Sequence, residues 1–130
     1  WTAHSLEGTV AGLRRHNTKL YVAAVEPEES AVLSGGKSGT HHIEGIGLGF
    51  IPPLWNADTV DEIVSVSTGE ALSMARRLAS EEGIFGGTSS GANVVAAIRV
   101  AQRLEPESIV ATLVVDSGLK YLTTDLYAEG

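Results

Sequence analysis

Apolar runs that read as strands alternate along this chain with segments whose apolar positions recur every three to four residues. That alternation predicts βαβ units and a mainly parallel sheet. Leu20–Val25 is rich in strand formers and stops at Glu26-Pro27, because the residue before a proline is pushed out of the helical region. Ile63–Ser67 reads as a second short strand. Ser108–Val115 (SIVATLVV) reads as a third, apolar enough to be buried on both faces. A brief fourth is expected at Ile84–Gly86. Between the second and fourth strands, Ser67 and Glu70 have capping-box spacing and open a helix with Ala71, Leu72, Ala75, Leu78 and Ala79 on its apolar face. Gly83 supplies its left-handed stop. Another helix is predicted over Ala92–Leu104, with Val94, Val95, Ile98, Ala101 and Leu104 on its apolar side. The helix from about Ser5 to His16 is poorer, since Gly8 and Gly12 each cost roughly 1 kcal/mol against alanine. From Glu26 to Thr59 periodicity is weak and Gly, Ser and Pro are frequent. Connections of that length are uncommon unless they carry function.

At 130 residues and 43% hydrophobic content, the chain reads as a single α/β domain spanning 1–130 with a real core. Nine basic against sixteen acidic residues give a formal charge of −7, which repels nucleic acid and anionic membrane surfaces, so neither partner is expected. No apolar run approaches the length that spans a bilayer and no basic-then-apolar leader opens the sequence, so a soluble, cytoplasmic protein is expected. The absence of cysteine excludes disulfides, thiolate nucleophiles and Cys-based metal sites.

Candidate chemistry concentrates at Gly87-Thr88-Ser89-Ser90-Gly91, a glycine-bracketed serine between a strand and a helix. As G-x-S-x-G it fits the elbow that presents a nucleophilic serine above a hydrolase sheet. Hydroxyls and free N–H groups at a helix start equally suit an anion or a heteroaromatic nitrogen, and Gly86-Gly87 and Gly91-Ala92 would allow close backbone approach to such a ligand. A plain strand-to-helix turn with Ser90 as cap is the third reading. Against the nucleophile, that fold places its histidine after the serine, whereas His4, His16, His41 and His42 all precede Ser89. Gly45-Ile46-Gly47-Leu48-Gly49-Phe50 lacks the third glycine of a dinucleotide fingerprint. It reads as an ordered loop lying on something flat, or as a bulged strand edge. His41 and His42, adjacent in extended chain, point to opposite sides, and no metal site is expected of them. Glu28-Glu29 and Glu81-Glu82 read as solvated charge. Asp116-Ser117-Gly118 ends the last expected strand, where ligands of open α/β sheets sit.

These residues also carry a resemblance. Val25-Glu26-Pro27, Ser30–Gly36, Ile43–Pro52, Glu70-Ala71, Ala75–Leu78, Glu82–Ile84, Gly87–Ala92 and Asp116–Leu122 follow one another in the order and spacing of the cysteine synthase family, the O-acetylserine sulfhydrylases and their cystathionine β-synthase relatives. The resemblance runs through essentially the whole chain, yet it is to the C-terminal half of those enzymes only. It implies the tryptophan-synthase β-like architecture of fold type II: three layers, a mainly parallel sheet with helices on both faces. It further implies pyridoxal 5'-phosphate as cofactor and replacement of the acetate of O-acetylserine by sulfide.

Carried over by position, the resemblance implies that the Ser89 hydroxyl meets the pyridine nitrogen of the cofactor, that Gly45 and its neighbours line the cleft, and that Asp116 and Ser117 lie near the nitrogen edge of the ring. The phosphate loop of the family, Gly-Thr-Gly-Gly-Thr, falls on Trp1-Thr2-Ala3-His4-Ser5, where only Thr2 and Ser5 keep their type. Backbone N–H groups there, and His4 itself, would hold the phosphate. The Schiff-base lysine of the family belongs to an N-terminal half. Lys19, Lys37 and Lys120 match it nowhere, so no catalytic residue is assigned and the chain alone is expected to be inactive. A small amino-acid substrate is expected once an N-terminal half completes the site, as is a homo-oligomer. The alternative is a non-catalytic binding or assembly module derived from the same fold.

Overall fold

The computed structural model describes residues 3–127. In order, the elements are α1 (His4–Arg14), β1 (Ala23–Pro27), β2 (Glu62–Val66), α2 (Thr68–Glu82) and α3 (Thr88–Ala101), with short 3-10 turns at Glu28–Ser30, Ala57–Thr59 and Gly118–Tyr121. β1 and β2 pair in parallel, with Ala23 beside Glu62 and Pro27 beside Val66. The α/β class with a parallel sheet is as the sequence pattern predicts. The pairing is started by a local ring: Asp61 Oδ2 accepts from the Val22 N–H at 2.7 Å, and Val22 O accepts from the N–H groups of Asp61 and Glu62. Since Val22 faces β2, alternation turns Ala24 and Glu26 the same way and Ala23, Val25 and Pro27 the other way. Pro27 is tolerated because its missing N–H falls on the unpaired side.

α2 carries the predicted capping box, with Ser67 accepting from Glu70 N–H and Glu70 reaching back to Ser67 N–H, and it stops at Gly83 with φ 68°. Ala71, Ala75 and Leu78 are buried beneath it. α3 starts at Thr88, four residues before its apolar periodicity, with Gly87 as N-cap. Its first turn is polar by composition yet buried, and its other end stops at Ala101 rather than Leu104. The buried side is Ala92, Val95, Ala96 and Val100, while Ile98 and Leu104 of the predicted face stay exposed. Two arginines account for this rotation. Arg99 donates to Ser65 O at 2.6 Å, and Arg103 forms a two-point ion pair with Glu62, so the helix is pinned to β2. The core joins Ile43, Val64, Val66, Ala71, Ala92, Val95, Ala96 and Val100, and a second cluster gathers Ala75, Tyr121 and Leu126.

The expected third strand is corrected. Residues 108–115 form neither helix nor strand, pair with no strand among the described residues, and leave Ile109 94% and Leu113 52% exposed. An apolar run becomes sheet only where a neighbour offers a ladder, and the two described strands pair with each other alone. Side chains of α3 hold the segment instead: Ser90 Oγ accepts from Val115 N–H at 3.0 Å, and Asn93 Nδ2 donates to Leu113 O at 3.0 Å. Ile84–Gly86 contributes an isolated antiparallel bridge, Gly86 to Ser117, rather than a strand.

Candidate functional site

The turn Gly87–Gly91 is assembled from three directions. From below, Gly91 lies so close to α2 that a Cβ there would meet Ala71 O at 2.1 Å. The second glycine of G-x-S-x-G therefore serves a helix crossing, not approach to a ligand. From the C-terminal side, a Cβ on Gly87 would meet Asp116 Oδ1 and the Tyr121 ring, each at 2.5 Å. From the loop before β2, Glu44 N–H donates to Thr88 Oγ1 at 3.2 Å. Ser90 is no cap, since its hydroxyl is engaged by Val115 and the N-cap residue is Gly87.

Residues 116–127 form a strap around this turn. Tyr121 donates to Asp116 Oδ2 at 2.5 Å and Lys120 Nζ lies 3.3 Å from the same oxygen, while buried Asp116 Oδ1 has no partner. Tyr127 donates to Gly86 O at 2.6 Å, its ring 4.7 Å from that of Phe85. Burial raises both phenols above the ordinary tyrosine range, and the nearby Asp116 carboxylate pushes the same way.

Gly45 stands opposite in a loop that follows buried Ile43. Left-handed backbone at Gly45, Gly47 and Gly49, φ 91°, 66° and 77°, lets the chain bend repeatedly without a strand, so the ordered-loop reading holds and the bulged edge does not. His41 Nε2 bonds Gly47 O at 2.8 Å inside this loop, and His42 is exposed. Among the described residues no group of three or more His, Cys, Asp or Glu is placed to hold a metal. Glu44, Gly45, Ile46, Leu48, Thr88 and Tyr121 contribute to an open cleft of about 550 Å³.

The structure thus gathers Gly45, Ser89, Asp116 and Ser117 about one turn. Ala3, His4 and Ser5 open α1, with Ala3 as N-cap at φ 66°, and Thr2 lies outside the described residues. α1 is tethered beside β2 through Thr59, which donates to Glu7 at 3.1 Å and accepts from Arg14 at 3.0 Å. Sequence reasoning passed over three residues that organise the site. Thr88 and Tyr121 sat inside quoted motifs with no role attached. Glu26, only 2% exposed, accepts from Leu33 N–H and Ser34 Oγ and so folds the following loop onto the end of β1. A carboxylate immediately before a strand-ending proline was the one available signal.

A sequence model for the family described as "Pyridoxal-phosphate dependent enzyme" matches residues 2–116. The chain belongs to the pyridoxal-phosphate-dependent enzymes. Among the members of that family it resembles, the "Probable cysteine synthase" of Bacillus subtilis (strain 168) is 46% identical over 127 residues, which is 98% of this chain and 41% of the relative. The "Cysteine synthase" of Staphylococcus aureus (strain N315) is 42% identical over the same share. The crystal structure of O-acetyl serine sulfhydrylase isoform 3 from Entamoeba histolytica superposes with a TM-score of 0.92 at 40% identity, covering 96% of this chain and 38% of that one. The O-acetylserine dependent cystathionine beta-synthase of Helicobacter pylori gives 0.87 at 40% identity, over 93% and 39%. The architecture is that of fold type II. This chain spans about two fifths of the length of the curated relatives it matches, their C-terminal portion. No helix among the described residues is long and apolar enough to cross a membrane.

Proposed function

We propose that the chain is the C-terminal portion of a pyridoxal-phosphate enzyme that replaces the acetate of O-acetylserine with sulfide. The observation that carries this reading is the Ser89 turn, clamped between the Asp116–Tyr121 pair and the Glu44 N–H that donates to Thr88, at the position the family resemblance assigns to the cofactor nitrogen. The residues present fit such a ring. Ser89 offers a neutral hydroxyl in the buried first turn of α3, and the first intrahelical bond there runs from Ser90 N–H to Gly87 O, which leaves earlier N–H groups for a ligand.

When bound, pyridoxal phosphate supplies the electron sink for breaking the Cβ–O bond of the substrate. In this reading the Ser89 hydroxyl would donate to the ring nitrogen, and the Gly45 backbone would line the substrate side of the cleft. Ala3, His4 and Ser5 at the start of α1, together with Thr2 by its place in the family motif, would hold the phosphate. Asp116 and Ser117 keep their place at the edge of the turn.

The lysine that would anchor the cofactor is assigned to the polypeptide the relatives have and this chain does not span. Lys120 is already paired with Asp116. Alone, the chain should give no borohydride-stable adduct after incubation with pyridoxal phosphate, read by intact mass. An adduct mapped to Lys19, Lys37 or Lys120 would overturn that assignment. The serine-hydrolase reading predicts fluorophosphonate labelling of Ser89, and we expect none.

A further inference from the structure

We propose that Thr88 and Ser90 are positioning residues that aim the hydroxyl of Ser89, between them, at the ring this site receives. The inference rests on the family reading above and adds to it the two side chains that hold Ser89 in place.

Three consecutive hydroxyls open α3, and all are buried: Thr88 is 3%, Ser89 4% and Ser90 0% exposed. Buried polar groups ordinarily find partners, and the two outer ones do. Thr88 Oγ1 accepts from Glu44 N–H at 3.2 Å, and Ser90 Oγ accepts from Val115 N–H at 3.0 Å. Ser89 makes no side-chain hydrogen bond among the described residues. The middle hydroxyl is the one left to a ligand.

Successive residues leave an α-helix about 100° apart, so Thr88 and Ser90 are separated by about 200° and point to opposite flanks, with Ser89 midway. The loop that carries Gly45 is tied to one flank and residue 115 to the other. Neither tether is needed to start the helix. Gly87 is its N-cap without any side-chain cap bond, and Gly91 seats the next turn against α2. What the two bonds fix is the rotation of the first turn about the helix axis, and hence the direction of Ser89. Thr88 does more, because it joins the residue before Gly45 to the residue before Ser89. It sets the separation of the two groups that the reading above places on the substrate side and at the ring nitrogen.

The test uses the full chain as Thr88→Val, Thr88→Ser, Ser90→Ala and Ser89→Ala. Glu44 is exposed and Val115 is 57% exposed, so water takes up the freed N–H groups and each variant should keep its circular dichroism. Without cofactor, the Hα–Hβ couplings of Ser89 should report one side-chain rotamer in the parent and in Thr88→Ser, and averaging in Thr88→Val and Ser90→Ala. A single rotamer in Thr88→Val and Ser90→Ala overturns the proposal, as does averaging in the parent. Pyridoxal phosphate is then titrated and read by the absorption of the bound ring and by its dissociation constant. Thr88→Val and Ser90→Ala should bind about fivefold more weakly, as a misaimed hydrogen bond does, with a spectrum moved towards that of the free cofactor, while Thr88→Ser matches the parent. Weaker binding by Ser89→Ala alone overturns the positioning and leaves the functional reading standing. Ser89→Ala that binds as well as the parent sinks the functional reading instead, and the couplings then decide the positioning, as they do for a parent that holds no cofactor.

Discussion

Tyr121 donates its phenolic proton to Asp116 Oδ2 across 2.5 Å, five residues back along the chain, and Gly87 lies flush against both. The turn that carries Ser89 is thus shaped by a contact made after the last expected strand. Tyr121→Phe keeps the ring but leaves Lys120 as the one partner of Asp116 Oδ2, beside the already unpartnered Oδ1. Loss of a hydrogen bond to a charged group costs about 1.5–3 kcal/mol, to be read as a lower midpoint in urea with an unchanged slope.

The same contact sets an alkaline limit. Burial first, and then the hydrogen bond to Asp116 and its charge, raise the Tyr121 phenol above its ordinary value of 10.0. A group whose folded pKa is raised adds stability that is present below the unfolded value and is lost as the pH climbs past it. Melting temperature should therefore fall above about pH 10, and Tyr121→Phe should flatten that fall.

Acid acts at the start of α2. Hydrogen bonds from the N–H and hydroxyl of Ser67, reinforced by Arg99, hold the Glu70 carboxyl below its ordinary value of 4.5. This contribution is present above that value and is lost as pH falls through the depressed one. Ser67→Ala should cost about 1 kcal/mol at neutral pH through loss of the cap. Its melting curve should also depend less on pH below 4.5 than that of the parent.

Glycines separate into two kinds. A Cβ at Gly8 or Gly12 meets nothing within 4 Å, so Gly8→Ala and Gly12→Ala should each stabilise α1 by roughly 0.5–1 kcal/mol. Gly87→Ala drives a methyl into Asp116 and Tyr121 and should both destabilise the chain and displace Ser89. Thermal melts of the three variants separate these cases, and equal effects would contradict the geometry.

Ala3 is the one non-glycine among the described residues with positive φ, 66°, at the start of α1. Left-handed backbone costs a residue with a Cβ about 1 kcal/mol or more. Ala3→Gly should raise the melting temperature, and in a cofactor-holding complex it should tighten the phosphate end.

The sequence by itself determined the elements whose signals are local. The Ser67–Glu70 box, the Gly83 stop and the runs around β1 and β2 rest on propensities and hydrogen bonds that span only a few residues, so they were readable in order and to within two or three positions. Ser89, Gly45, Asp116 and Ser117 could be named as candidates, because motif spacing survives without coordinates. Tertiary structure decided the rest. Thr88–Ser90 are buried helix despite their polarity, since the hydroxyls of Thr88 and Ser90 find partners 44 and 25 residues away. Gly91 makes room for α2 rather than for a ligand. Residues 108–115 have the composition of a buried strand, but a strand needs a neighbour whose N–H and C=O groups complete its ladder. No neighbour stands there among the described residues, and whether one does is decided by tertiary arrangement rather than by the apolar pattern of the segment.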